Sequence, residues 1–181
     1  PTTALPKVDR CGDLHHRPRV LLGKTGLDGH DRGVKLIARL LRDSGAHVIY
    51  SGLWQTPRSL AISARDEDVD VVACSMMSNS HLVLVPKVIE ECANVGRPDL
   101  VVNVGGIIPQ EDVPTLIAAG VHRVYHTGTP MEEIVDSVRE ATKPYGDVPT
   151  DHPTARLARA ISRAWLGESV DAPRARPRRV V

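Results

Sequence analysis

Hydrophobic residues along this chain fall in short blocks that alternate between two periods. Arg19 to Gly23 is a brief apolar run that reads as a buried strand. Gly33 to Asp43 places Val34, Ile37, Leu40 and Leu41 at helical spacing, and Ser44-Gly45 ends that helix. Ala46 to Ser51 reads as a second strand. Thr56-Pro57 opens a second helix to about Asp66, with Thr56 as N-cap and Pro57 at the first helical position. Val69 to Ser75 is a third strand, apolar on both faces, followed by a polar loop, Ser75 to Ser80, and a helix over Leu82 to Val95. Leu100 to Val104 and Val121 to His126 are the fourth and fifth strands, with a helix over Gln110 to Ala119 between them. Thr129 caps, and Pro130 starts, a fifth helix over Met131 to Ala141.

Five strands alternating with five helices predict an α/β fold, a doubly wound parallel sheet with helices on both faces. The flavodoxin-like (Rossmann-like) order 2-1-3-4-5 is expected. Ligands of such sheets bind outside the carboxyl ends of the strands, here the loops 24–33, 52–56, 75–81, 105–110 and 126–130. Beyond Pro144 the pattern changes. Residues 1–16 read as an arm, 17–143 as the folded domain, and 144–181 as a linker, an amphipathic helix (Thr154 to Leu166) and an Arg-rich tail. On that helix Leu157, Ile161, Ala164 and Trp165 share one side, suited to a partner or to the domain itself.

Composition sharpens this picture. Phe is absent from the 181 residues, so the core is aliphatic, as in parallel sheets. The net charge is +1, but His152 to Val181 carry seven arginines against Glu168 and Asp171, a balance of +5 that leaves −4 for the rest. Cys11, Cys74 and Cys92 show no disulfide or zinc spacing and suit a reducing, cytoplasmic setting. No apolar run approaches a membrane span, and one aromatic among the tail arginines makes a poor nucleic-acid surface.

The chemistry concentrates between Lys24 and Gly33, in KTGLDGHDRG. Neither the P-loop nor the dinucleotide spacing is present. A lone His30 is most simply a surface or capping residue. The carboxylate of Asp28 two residues earlier gives it a second reading, a metal ligand whose other ring nitrogen donates to an acceptor. Gly29 permits a sharp turn between them, Lys24 moderates the charge of Asp28, and Gly33 lets the helix start pack closely on the ligand. Zinc needs three or four protein ligands, and the other histidines are scattered. One protein ligand suffices where a macrocycle supplies four equatorial nitrogens.

At Asp28, His30 and Gly33 (D-x-H-x-x-G) the sequence resembles the cobalamin-binding domain of the adenosylcobalamin-dependent acyl-CoA mutases, the methylmalonyl-, isobutyryl- and 2-hydroxyisobutyryl-CoA mutase family. Gln55-Thr56-Pro57-Arg58, Leu84-Val85-Pro86, Gly96-Arg97-Pro98-Asp99, Val104 to Pro109 and Gly128-Thr129 extend the match over about residues 17 to 140. Two places depart from it: Ser75-Met76-Met77 stands where S-x-L is usual, and Tyr125-His126 is bulkier than the small residues common there.

The resemblance implies that His30 replaces the cofactor's dimethylbenzimidazole as lower axial ligand of cobalt, with Asp28 hydrogen-bonded to it and Lys24 behind. It implies a slot for the detached nucleotide tail, with Ser75 meeting the base, Gly105 and Gly106 letting the tail pass close to backbone, and Gly128 and Thr129 at its far end. Gly29, Asp31, Arg32, Gly33 and Met77 complete the expected cofactor-binding set.

A (β/α)₈ barrel for the acyl-CoA needs about 250 residues and does not fit in this chain. The expected function is therefore the small subunit of a heteromeric mutase, an isomerase inactive alone, with a barrel subunit as partner and a G-protein chaperone for loading. The alternatives are a stand-alone corrinoid carrier, sensor or methyltransferase corrinoid protein, and a cobalamin-free signalling domain. The acyl group is not legible here, because the missing barrel selects it.

Overall fold

The computed structural model describes residues 17–142 and 153–165. The expected arm, linker and Arg-rich tail lie outside the described residues. Five parallel strands, β1 (Arg19–Thr25), β2 (His47–Gln55), β3 (Val71–Met76), β4 (Val101–Gly106) and β5 (Arg123–His126), form one sheet in the order β2-β1-β3-β4-β5. Helices α1 (Arg32–Asp43) and α5 (Met131–Glu140) cover one face, where Val34, Leu41, Ile134 and Val138 pack on Val20, Leu22 and Val71. Helices α2 (Pro57–Asp66), α3 (His81–Asn94) and α4 (Val113–Ala118) cover the other, around Leu21, Val72, Val102 and Val104. The topology is the one the alternation of elements predicts.

Local chemistry explains the boundaries. Thr56 accepts from the Ser59 amide and the Ser59 hydroxyl accepts from the Thr56 amide, a reciprocal cap on α2. Gly45, at φ +96°, follows the C-cap Ser44 of α1 and turns the chain where residues with a Cβ are strained. Three expectations are corrected. Thr129 does not cap α5: its hydroxyl donates to the His126 carbonyl, and Pro130 occupies the cap position. The helix expected from Gln110 begins as a 3₁₀ turn, Gln110–Asp112, before α4. Strand β2 runs on through the segment expected as loop 52–56, because irregular pairing with β1 keeps Gly52 beside Gly23 and Gln55 beside Thr25. Gln55 braces that irregularity, donating to the carbonyls of Ser51 and Leu53 and accepting from Ser59.

The C-terminal helix α6 (Pro153–Trp165) lies against α2, with the Thr154 hydroxyl 2.7 Å from the Asp66 carboxylate. It packs on its own domain and leaves Leu157 and Ile161 exposed.

Buried charge ties down the amino-terminal edge of the sheet. Arg97, 2 % exposed, binds the carboxylates of Asp68 and Asp99 and the Val69 carbonyl. Nearby, the Asp70 carboxylate accepts the Arg19 amide at 2.8 Å. Burial pushes the Asp70 carboxyl up to about 6, the Arg19 amide only partly offsetting it. Between pH 4 and 6 the folded chain therefore holds a proton that the unfolded chain has lost, and stability falls as pH rises through that window. Asp70→Asn keeps an acceptor for Arg19 and is expected to raise stability at pH 7 by about 2 kcal/mol, with a smaller gain at pH 4. Urea unfolding at both values checks this, and equal destabilisation at both would contradict it.

Candidate functional site

The carboxyl-terminal edge of the sheet carries the loop between β1 and α1. Gly26, at φ +77°, makes the sharp turn that leaves β1, and its amide donates to the Gln55 carbonyl at 3.1 Å. The turn expected at Gly29 falls here instead, since Gly29 is not among the residues at positive φ. Asp28 is folded back under the loop with its side chain 2 % exposed, whereas that of His30 is 77 % exposed.

Four donors converge on the Asp28 carboxylate. One oxygen accepts the His30 amide at 2.9 Å and faces His30 Nδ1 at 3.0 Å. The other meets Lys24 Nζ at 2.5 Å and the Met77 amide at 3.0 Å. Burial alone would raise the Asp28 pKa, but Lys24 and the His30 amide and ring together hold the carboxyl down at about 2. An ionised carboxylate at Nδ1 places the ring proton there. His30 Nε2 points away from Asp28 with no partner among the described residues. Lys24, fully buried, also reaches Ser75 Oγ at 3.2 Å, which connects the loop to β3.

His30 stands at the wall of a cavity of about 430 Å³ between the sheet and the α1/α5 layer. Its apolar walls come from Leu22 and Ala73 of the sheet, Val34 and Ile37 of α1, and Ile134 and Val138 of α5. Among the residues expected at a cofactor site, Gly33, Ser75, Met77, Gly105, Gly106, Gly128 and Thr129 line it with His30. Lys24 and Asp28 stand behind His30, not on the wall. Gly29, Asp31 and Arg32 are also off the wall, and Asp31 pairs with Lys35 one helical turn on.

The glycines divide by cause. A Cβ on Gly106, at φ +139°, would stand 1.8 Å from the Met76 carbonyl oxygen, so strand pairing itself requires glycine there. A Cβ on Gly105 would meet only Tyr125 at ordinary contact distance. Gly33 and Gly128 have nothing within 4 Å in that direction, leaving open space at the cavity's edge.

Several contributors carry no motif. The Met77 backbone amide acts through its main chain, which a side-chain pattern does not report. Asn103 and Tyr125 put polar atoms among the aliphatic walls, and Ser137 contacts the Tyr125 hydroxyl. Asn103 inside the apolar run Val101-Val102-Asn103-Val104 was the legible signal. Buried Cys74 is also on the wall, but burial pushes its thiol up to about 12, leaving it inert. Among the described residues no group of three or more His, Cys, Asp or Glu could hold a metal ion, so a metal bound here must bring most of its own ligands.

The residues fit a corrinoid: one exposed, oriented imidazole beside a deep apolar slot. Comparison with known proteins agrees. The model of the B12 binding domain matches residues 18–136. The chain is 48 % identical over 121 residues to the 2-hydroxyisobutanoyl-CoA mutase small subunit of Aquincola tertiaricarbonis, covering 67 % of this chain and 89 % of that one. It is 47 % identical over 120 residues to the pivalyl-CoA mutase small subunit of Xanthobacter autotrophicus, covering 66 % and 80 %. A cobalamin-binding protein from Desulfitobacterium hafniense shares the fold, with TM-score 0.61 at 18 % identity over 71 % of this chain and 61 % of that one.

Lys24→Met is expected to destabilise the fold by roughly 3–5 kcal/mol, because it strands the buried Asp28 charge. The Lys24→Met/Asp28→Asn double variant should recover part of that loss, since it removes the stranded charge as well. Thermal and urea unfolding of the four-protein cycle checks the coupling, and additive losses would contradict it.

Proposed function

Because the chain belongs to the B12-binding domain family, we propose that it is the cobalamin-binding small subunit of a heteromeric, adenosylcobalamin-dependent acyl-CoA mutase. The single observation that carries the reading is the imidazole of His30. Asp28 fixes its Nδ1 proton, and its Nε2 is left available beside an apolar cavity. That is the donor set a corrinoid needs from protein, one basic nitrogen in a set orientation. The similarity to two mutase small subunits over most of their length supports the same assignment.

In this reading His30 is the lower axial ligand of cobalt. Asp28 holds the ring and raises its basicity, and Lys24 keeps Asp28 ionised. The slot between the sheet and α1/α5 takes the nucleotide tail, with Ser75, Gly105, Gly106, Gly128 and Thr129 along it. Met77 fills the wall position next to the loop, and Gly29, Asp31, Arg32 and Gly33 shape the rim. Residues 17–143 make up the cofactor-binding unit. Bound adenosylcobalamin supplies the hard step, homolysis of its cobalt–carbon bond. The chain itself holds and orients the cofactor and shields its tail from water.

The acyl-CoA is bound elsewhere, on a large subunit that we assign to the barrel type, with a G-protein chaperone loading the cofactor. Leu27, Trp54, Met77 and Ile107 remain exposed around the carboxyl edge and offer the macrocycle and that partner an apolar surface. No helix among the described residues is long and apolar enough to cross a membrane.

His30→Ala is expected to abolish the histidine-ligand signature in the absorption spectrum of bound cobalamin and to weaken binding. An unchanged spectrum and affinity would remove His30 from the axial role. Activity with a co-purified large subunit on a panel of branched acyl-CoAs separates the mutase from a carrier. Tight cobalamin binding with inactivity beside every large subunit would favour the carrier.

A further inference from the structure

The loop that carries His30 is backed by the start of α3 at two points. The Met77 amide, in the segment between β3 and α3, is one of the four donors on the Asp28 carboxylate. A Cβ on Gly26 would stand 2.8 Å from Leu84 Cδ1 and 3.8 Å from Ser80 Oγ, so the turn off β1 is packed against the first turn of α3. That start has no side-chain cap of its own. Ser80 Oγ meets Ser78 Oγ at 2.8 Å instead of a helix amide.

What fixes it is His81. This residue is 2 % exposed, and its Nε2 lies 2.8 Å from the carboxylate of Asp112, in the 3₁₀ turn after β4. The bond joins the segment after β3 to the segment after β4, beyond Met76 and Gly106, the last pair in the strand register. The carboxylate accepts, so Nε2 carries the proton, and Nδ1 is enclosed without a partner. Burying an imidazole with one nitrogen unsatisfied costs stability that an aliphatic side chain would not. A polar group kept at such a cost, spanning two loops at the edge of the site, fits a role in placing those loops.

We propose that His81 is a positioning residue for the axial ligand. By bonding Asp112 it fixes the start of α3. The start of α3 in turn holds the Met77 amide on Asp28 and backs the Gly26 turn, so that Asp28 presents its other oxygen to His30 Nδ1. The inference rests on the cobalamin-binding reading above. His81 is neither on the cavity wall nor bonded to Asp28, and it acts only through these contacts.

The test follows the full chain bound to cob(II)alamin. It reads the dissociation constant by absorbance, and the fraction of cobalt split by nitrogen-15 from labelled histidine by electron paramagnetic resonance. His81→Leu and Asp112→Leu each remove the bond. Either should raise the dissociation constant about ten-fold and lower the histidine-ligated fraction. Asp112 is 24 % exposed, so its variant carries the test should His81→Leu fail to fold. Val88→Ala loosens the same helix from within the core and should change urea unfolding but neither cobalt readout. Wild-type affinity and ligated fraction in whichever variant folds overturns the proposal. So does an equal shift in Val88→Ala, which would reduce the effect to stability. In both cases a wild type ligated by histidine leaves the cofactor reading standing. A wild type with no histidine nitrogen on cobalt overturns both.

Discussion

The buried pair of Lys24 and Asp28 is the interaction on which the site depends. Neither side chain has meaningful solvent exposure, and each charge would be costly alone. Together they place an ionised carboxylate beneath an exposed imidazole. Asp28 spends one oxygen on the ring and amide of His30 and the other on Lys24 and the Met77 amide. The loop after β1 and the start of the loop after β3 are thereby bound to one group. Lys24 extends the connection to Ser75. The exposed imidazole of His30 is thus tied through Asp28 and Lys24 to Ser75 at the slot.

The slot exists because of what the sheet presents on its α1/α5 face. Ala73 and Gly105 offer little bulk on this face, and the helices bridge the gap instead of filling it. On the opposite face the Leu, Val and Cys side chains of α2 and α3 pack against the sheet. At the far edge, Arg97 and its carboxylates hold the strand starts in register away from the ligand.

Much of this was legible in the sequence. Alternating apolar blocks with strong punctuation, Thr56-Pro57 and Ser44-Gly45 above all, define a doubly wound sheet almost without tertiary information. The pairing of Lys24, Asp28 and His30 was legible because all three lie close in sequence, at the end of β1 and in the loop that follows. Less was legible where backbone or distance decides. The turn belongs to Gly26 rather than Gly29, because φ follows the path off β1. Gly106 is glycine for the Met76 carbonyl and not for a ligand, which only strand register reveals. Thr129 resembles a cap by its place before Pro130, yet its hydroxyl turns back to His126. Asn103, Tyr125 and Ser137 meet across two strands and a helix, and no local pattern relates them.

In the proposed function a protein imidazole, and not the cofactor's own base, supplies the nitrogen on cobalt. Electron paramagnetic resonance of the chain bound to cob(II)alamin tests it most directly, with histidine labelled by nitrogen-15. A ligating protein histidine converts the three-line nitrogen splitting on each cobalt line to two lines. Three lines that persist after labelling, or no nitrogen splitting at all, would show that His30 does not bind the cobalt.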